Sequence, residues 1–260
     1  MRKLLVVGIG AGNPEHVTVQ AVNALNKADV LLIPLKGEEK AFLADMRREI
    51  CERFVTNPSC RIVEYAVPRR STDGRYDDGV QDWHQAIARI YEDILLHKVA
   101  ENETVGLLVW GDPSLYDSTI RIIEHVRANG RVALDFEVIP GITSIQALCA
   151  SQRIPLNRIG LPVKITTGRR LAESWPEGAG DVVVMLDGIE AYRTVDDPDA
   201  EIFWGAYLGT ELEITLSGRL SDMVETIGET RRRAREKNGW IMDTYLIRRG
   251  NGRDDAEEPA

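Results

Sequence analysis

The stretch "LLVVGIGAGNPEHVT", Leu4 to Thr18, decides the fold. A run of Leu and Val breaks into Gly8, Gly10 and Gly12, as where a buried strand turns sharply into the next element. The dinucleotide fingerprint at such a turn is GxGxxG, with an acidic residue about 20 positions on to hold a ribose. Asn13 stands where the third fingerprint glycine belongs, and Pro34 where the acid is wanted. Both departures count against NAD or FAD, and no GxxxxGK[ST] run offers a phosphate loop. What remains is a side-chain-poor loop at the carboxyl end of a first strand, where open parallel sheets form their ligand crevice. On this stretch alone, a plain sharp turn fits equally well.

Outward from that loop, short β-branched runs alternate with longer amphipathic ones. The pattern predicts strands at Lys3–Val7, Val30–Ile33, Arg61–Val67, Val105–Val109 and Phe136–Ile139. Helices are predicted between them at Pro14–Lys27, Ala41–Thr56, Val80–Lys98 and Ser118–Asn129, with a polar surface loop from Pro68 to Asp78. Strands separated by helices imply parallel βαβ units. After "VIPGITS" a short helix, Ser144–Gln152, leads to the Pro/Gly-marked "RIPLNRIG". Further strands are expected at Val163–Thr166, Val182–Leu186, Ile202–Tyr207, Glu213–Ser217 and Trp240–Arg248, several joined only by turns, so this half includes antiparallel pairing. The reading is two α/β domains, the first with a parallel sheet and the second with a mixed one, and a seam between Gly141 and Gly160.

Composition narrows the function. The chain has 260 residues, enough for one large domain or two ordinary ones. No apolar run approaches the roughly 18 residues of a membrane span, and "MRKLLVVG" reads as a first strand instead of a signal peptide. Three cysteines without a CxxC pair argue against a disulfide framework or structural zinc and suit a reducing cytoplasm. Four histidines show no metal-binding spacing, so no metal is expected. A net charge of −9 disfavours nucleic acid as partner; the basic run "RRRAR", Arg231 to Arg235, reads as a solvated helix face. The acidic tail, residues 251–260, is expected to be disordered.

Two more loops follow strands: "LLVWGDPSLYDS" and "FEVIPGITS". In the first, Asp112 suits capping the next helix or holding a ligand hydroxyl; in the second, Thr143 and Ser144 suit helix capping. The three loops together, "GIGAGNPEHVT", "GDPSLYD" and "IPGITS", resemble the GxGxGxPxxLT, GDPxxY and PGI(T/S) turns of the tetrapyrrole (corrin/porphyrin) methylase family. The likeness runs from Leu4 to Arg248. The later segments "VVVMLDG", "WGAYLGTE" and "NGWIMDTYLIRR" look most like its deacetylating branch in aerobic cobalamin synthesis.

The resemblance implies two αβα domains, residues 1–142 and 143–250, that fold S-adenosylmethionine between them and release S-adenosylhomocysteine. That cofactor has no phosphate, which accounts for the failed fingerprint. Carried over by motif, its contacts fall on Ala11, Gly111, Asp112, Leu115, Thr143, Ser144, Met185, Leu186, Leu208 and Gly209, with Thr244 on the last strand. Backbone groups and short hydroxyls suit the polar edges of an adenosine, and the apolar members suit its faces, although Met185 and Leu186 also read as plain core. Many members have Pro at Ala11, Asp at Asn13 and a Gly pair at Trp110–Gly111. Uroporphyrinogen-type members carry an acid where Pro34 stands, which argues for a different acceptor here.

By the same resemblance the acceptor is precorrin-5, methylated at ring position 1 with loss of an acetyl group as acetate, by a cytoplasmic homodimer. Such an acceptor carries many carboxylates, so an arginine lining is expected. Candidates are Arg69, Arg70 and Arg75 in the polar loop and Arg169 and Arg170 in "TTGRRL", beside Tyr116; surface solubility explains the arginines as well. Asp112, Tyr116, Asp117 and His16 stand near the expected mouth, and none is assigned a catalytic role. Other readings are a different precorrin, uroporphyrinogen or diphthine-type methyltransferase, an rRNA ribose methyltransferase, a non-catalytic binder of adenosyl compounds or tetrapyrroles, and a dinucleotide oxidoreductase.

Overall fold

A computed structural model describes residues 1–35, 41–68 and 76–250, with only the backbone at residues 41 and 76–78. Arg69, Arg70, Arg75 and the acidic tail lie outside the described residues. The chain divides into two compact units, Met1–Thr143 and Ser144–Ala260.

The first unit is a βα succession: β1 (Arg2–Gly8), α1 (Val19–Lys27), β2 (Val30–Leu35), α2 (Ala41–Phe54), β3 (Arg61–Ala66), α3 (Tyr76–His97), β4 (Thr104–Val109), α4 (Thr119–Asn129) and β5 (Leu134–Ile139). Its five strands lie in the order β3-β2-β4-β1-β5, all parallel. The unbroken Leu/Val run of β1 follows from burial on both faces. Leu4 and Val6 pack with Val105, Leu107, Ile87, Tyr91 and Ile123, the α3/α4 side. Leu5 and Val7 pack with Leu31, Ile33, Ala21, Leu25 and Ile50, the α1/α2 side. The edge strand β3 exposes Ile62, Glu64 and Ala66, which is why its sequence alternates.

The helix predicted over Pro14–Lys27 is two pieces. Asn13 caps a 3₁₀ turn at Pro14–His16 by accepting the Glu15 amide, and Thr18 Oγ1 accepts the Ala21 amide to start α1. Two caps five residues apart leave Val17 extended between them. The polar loop predicted to Asp78 ends earlier, since α3 begins at Tyr76.

The second unit contains α5 (Ser144–Gln152), β6 (Val163–Thr167), α6 (Gly168–Glu173), β7 (Asp181–Met185), β8 (Glu201–Ala206), β9 (Ile214–Arg219), α7 (Leu220–Asn238) and β10 (Asp243–Arg248). Its sheet runs β6-β7-β10-β8-β9; β6 and β7 are parallel, and the other pairs are antiparallel. The fold is thus α/β throughout, with one parallel and one mixed sheet. The last strand starts at Asp243, not at Trp240, because the backbone there is used otherwise: the Trp240 carbonyl accepts the Tyr207 hydroxyl at 2.5 Å, and Gly239 closes α7 in a left-handed cap.

β10 is the central strand and is buried along its whole length, Asp243 included. Asp243 Oδ2 accepts Arg231 Nε at 2.9 Å and Trp204 Nε1 at 3.0 Å. Arg231 also donates to the Asp187 carbonyl. The expected solvated face of "RRRAR" therefore holds for Arg232, Arg233 and Arg235 but not for Arg231, which is buried as the partner of an internal carboxylate. Removing one member of a buried pair strands the other charge. Arg231→Met is expected to cost about 3–5 kcal/mol in denaturant unfolding, while Arg232→Ala changes stability by no more than about 0.5 kcal/mol.

Candidate cofactor site

Because β1 lies between β4 and β5, the loops that leave these three strands stand side by side although they are far apart in sequence. They are joined by backbone. Ile9 donates to the Val109 carbonyl at 2.9 Å, and Gly10 and Gly111 exchange hydrogen bonds of 3.3 and 2.8 Å, an isolated antiparallel bridge. Gly8 and Gly141 touch closely enough that a Cβ on Gly8 would sit 2.7 Å from the Gly141 nitrogen. A methyl group on Gly141 would overlap the Gly111 carbonyl oxygen. Glycine is thus required at Gly8 and Gly141 by close approach of three backbones.

Asp112 fastens the arrangement. Its Oδ2 accepts the Gly141 amide at 2.8 Å, and its Oδ1 accepts the Ser114 amide at 2.8 Å and the Ser114 hydroxyl. Partial burial pushes its carboxyl up, but the Ser114 hydroxyl and the two amides outweigh that and hold it below the usual carboxylate range. The N-cap of the following helix, Ser118, makes no side-chain cap bond; Asp117 before it accepts the Thr119 amide on Oδ1 at 2.6 Å. Ala11 is buried beside the bridge, and Thr143 is the nearest neighbour of the open side of Gly111, its Cα 3.9 Å from where a Cβ would stand. Leu115 and Tyr116 continue the same loop; Tyr116 is 44% exposed, and its backbone is left-handed at φ 50°.

In the second unit the expected residues gather around Thr244. Its Oγ1 is 2.8 Å from Ser144 Oγ, and it pairs with Met185 on one side and Gly205 on the other. Leu208 folds over Gly205, where a Cβ would come within 2.6 Å of its Cδ2. Gly209 donates to Glu213 Oε2 at 2.6 Å. Leu186, directly after β7, is 62% exposed and left-handed at φ 54°. The turn beyond it is held by Asp187, which accepts the Ile189 and Ala191 amides and the Tyr245 hydroxyl.

Left-handed backbone on a non-glycine residue is costly and gathers at functional sites. Tyr116, Leu186 and Tyr207, three of the five such residues among those described, lie in or beside the expected cofactor segments. That strain was not legible in the sequence, nor were the turn-holding roles of Asp112 and Asp187. Arg169 and Arg170 sit on the exposed surface of α6, Arg170 paired with Glu173 at 2.8 Å. His16 packs against Gly10, and its Nδ1 is buried without a partner among the described residues.

The close approach of the three loops makes Gly141→Ala costly: overpacking against backbone is expected to lower unfolding free energy by about 1–3 kcal/mol. Gly188→Ala, with open space around it, is the control and should stay within about 0.5 kcal/mol. Chemical denaturation of the two variants checks the contrast.

Residues 3–224 match the family described as Tetrapyrrole (Corrin/Porphyrin) Methylases. A Sinorhizobium relative named precorrin-6A synthase (deacetylating) is 61% identical over 251 residues, which cover 96% of each chain. A crystal structure described as a cobalamin-synthesis-related protein (CobF) of Corynebacterium diphtheriae superposes with a TM-score of 0.83 at 37% identity, over 96% of this chain and 100% of that one. A uroporphyrin-III C-methyltransferase of Thermus thermophilus, solved with S-adenyl homocysteine, shares the fold at a TM-score of 0.55 and 19% identity, over 94% and 96% of the two chains. With most of its length matched by the family and one relative so similar over nearly all of it, the chain belongs to the tetrapyrrole (corrin/porphyrin) methylases.

Proposed function

We propose that this chain is an S-adenosylmethionine-dependent methyltransferase of cobalamin synthesis that methylates precorrin-5 at ring carbon 1 and releases acetate, giving precorrin-6A. The observation that carries this reading is the 61% identity, spanning 96% of both chains, to the Sinorhizobium precorrin-6A synthase. Pro34, inside β2, replaces the acid of uroporphyrinogen-type members and points the same way. A homodimer in the cytoplasm is part of the proposal on the family resemblance alone. Among the described residues no helix is long and apolar enough to cross a membrane.

S-adenosylmethionine supplies, when bound, an electrophilic methyl group on a sulfonium. The chain's own residues bind and orient it. Ala11 and Gly111 offer backbone edges unobstructed by large side chains, and Thr143, Ser144 and Thr244 offer short hydroxyls to a nucleoside. Leu115, Met185, Leu186 and Leu208 offer apolar cover, and Asp112 and Gly209 fix the turns that present them. The donor set is neutral, hydroxyl-rich and apolar, as suits a ligand with an adenine, a ribose and no diphosphate. Alignment and exclusion of water are then the main contributions of the protein to methyl transfer.

Release of acetate also requires water at the acyl carbon and an acceptor for its proton. Asp112 and Asp117 are already engaged by backbone amides. His16 Nδ1 is buried without a partner among the described residues, and Tyr116 is 44% exposed. Neither is assigned the step.

The test is mass spectrometry of the purified protein with methyl-labelled S-adenosylmethionine and precorrin-5. The expected product has gained one labelled methyl and lost one acetyl group, with acetate and S-adenosylhomocysteine formed in equal amounts. Methylation of a different precorrin only, or no transfer to any precorrin, overturns the reading.

A further inference from the structure

One cavity of the first unit lies apart from the glycine contacts that join the three loops, and only Asp117 of those loops reaches it. It measures ≈70 Å³ and lies against β2, β3 and β4 near their carboxyl ends, where Pro34, Tyr65 and Val109 line it. One water needs about 10–15 Å³ of such space, so the cavity suits a group of a few heavy atoms and not a tetrapyrrole ring.

Its polar lining is unusual for a core. Arg47 enters from α2 and is only 5% exposed. Its Nε donates to the Leu108 carbonyl at 3.0 Å and its Nη1 to the Leu43 carbonyl at 2.7 Å. No carboxylate among the described residues pairs with it, whereas its half-buried neighbour Arg48 takes both Asp45 and Glu64. An arginine stays charged even when buried, so Arg47 is a permanent internal cation that, among the described residues, is served by two carbonyls and has donors to spare. Beside it, the Tyr65 and Tyr91 hydroxyls are 3.1 Å apart. One hydroxyl hydrogen is used within that pair and the other is left to donate. Among the described residues, Asp117 is the one carboxylate in the lining. It is engaged by the Thr119 amide and offsets Arg47 only at longer range.

We propose that this cavity is a carboxylate-binding site, in which the Arg47 guanidinium and the Tyr65–Tyr91 hydroxyl pair hold the oxygens of one carboxyl group. A guanidinium with spare parallel donors is the natural partner of that group. Arg47 offers one positive charge at contact distance, which Asp117 offsets only at longer range, so one negative charge is matched there and a dianion is not. The function proposed above matters here only for the source of the carboxylate: an acidic side arm of the tetrapyrrole acceptor, or the acetate that the reaction releases.

The probe is sodium acetate against sodium chloride at equal ionic strength, with the full-length chain. The indole signal of Trp83, which lines the cavity and donates to the Pro68 carbonyl at 2.8 Å, is followed by NMR. Acetate is expected to shift it saturably and chloride not. Arg47→Gln should weaken acetate binding by about tenfold or more, and the near-isosteric Tyr65→Phe by about threefold. Acetate that competes with the tetrapyrrole acceptor identifies the side arm as the natural occupant; acetate that binds without competing identifies the released acid. An indole signal that is the same in both salts overturns the proposal, and so does unchanged acetate affinity in a folded Arg47→Gln protein. S-adenosylhomocysteine affinity is measured alongside: its absence from the wild-type protein counts against the methyltransferase reading and leaves the acetate result standing.

Discussion

Three strand ends are held together by backbone touching backbone, and the rest of the site depends on that contact. Gly8, Gly10, Gly111 and Gly141 come so close that side chains on Gly8 or Gly141 would overlap their neighbours, and Asp112 locks the contact through the Gly141 amide. Strand order makes it possible. With β1 between β4 and β5, motifs that begin at Gly8, Gly111 and Ile139 leave the sheet at one place. The same closeness keeps bulky side chains away from the exposed edges of these loops, as a small polar and aromatic ligand requires.

Much of the first unit was legible because both faces of its sheet are covered. Continuous apolar runs such as "LLVV" have one physical explanation, a parallel strand between helix layers. The second unit was harder to read. Its helix α7 carries Leu220, Met223, Val224 and Ile227 at helical spacing, but the buried stripe continues through Gly228 and Arg231, where residue type does not mark the inner face. The pairing of Arg231 with Asp243 decides that burial, and a partner 12 residues away on another element leaves no local mark.

At the site, the residue types were readable and their division of labour was not. Asp112 was visible as a candidate ligand or cap, and its observed bonds hold loops together. Left-handed backbone at Tyr116 and Leu186 has no signature in residue type, since sequence favours glycine or asparagine there. Arg47 and Arg48 are adjacent in "LADMRREICERF", yet one is an internal cation and the other a surface partner of Asp45 and Glu64. Helical geometry turns neighbouring residues about 100° apart, and only the packed structure tells which one faces inward.

In the proposed function, the glycine-knit loops, fastened by Asp112, bind the nucleoside sulfonium. Calorimetric titration of S-adenosylhomocysteine into wild-type and Asp112→Ala proteins tests it most directly, with NAD as the reference ligand. Clear heat of binding is expected in the wild type, with a loss of about tenfold or more in affinity when the fastening carboxylate is removed, and no binding of NAD to either. Equal affinity for S-adenosylhomocysteine in the two proteins, or uptake of NAD in its place, would contradict it.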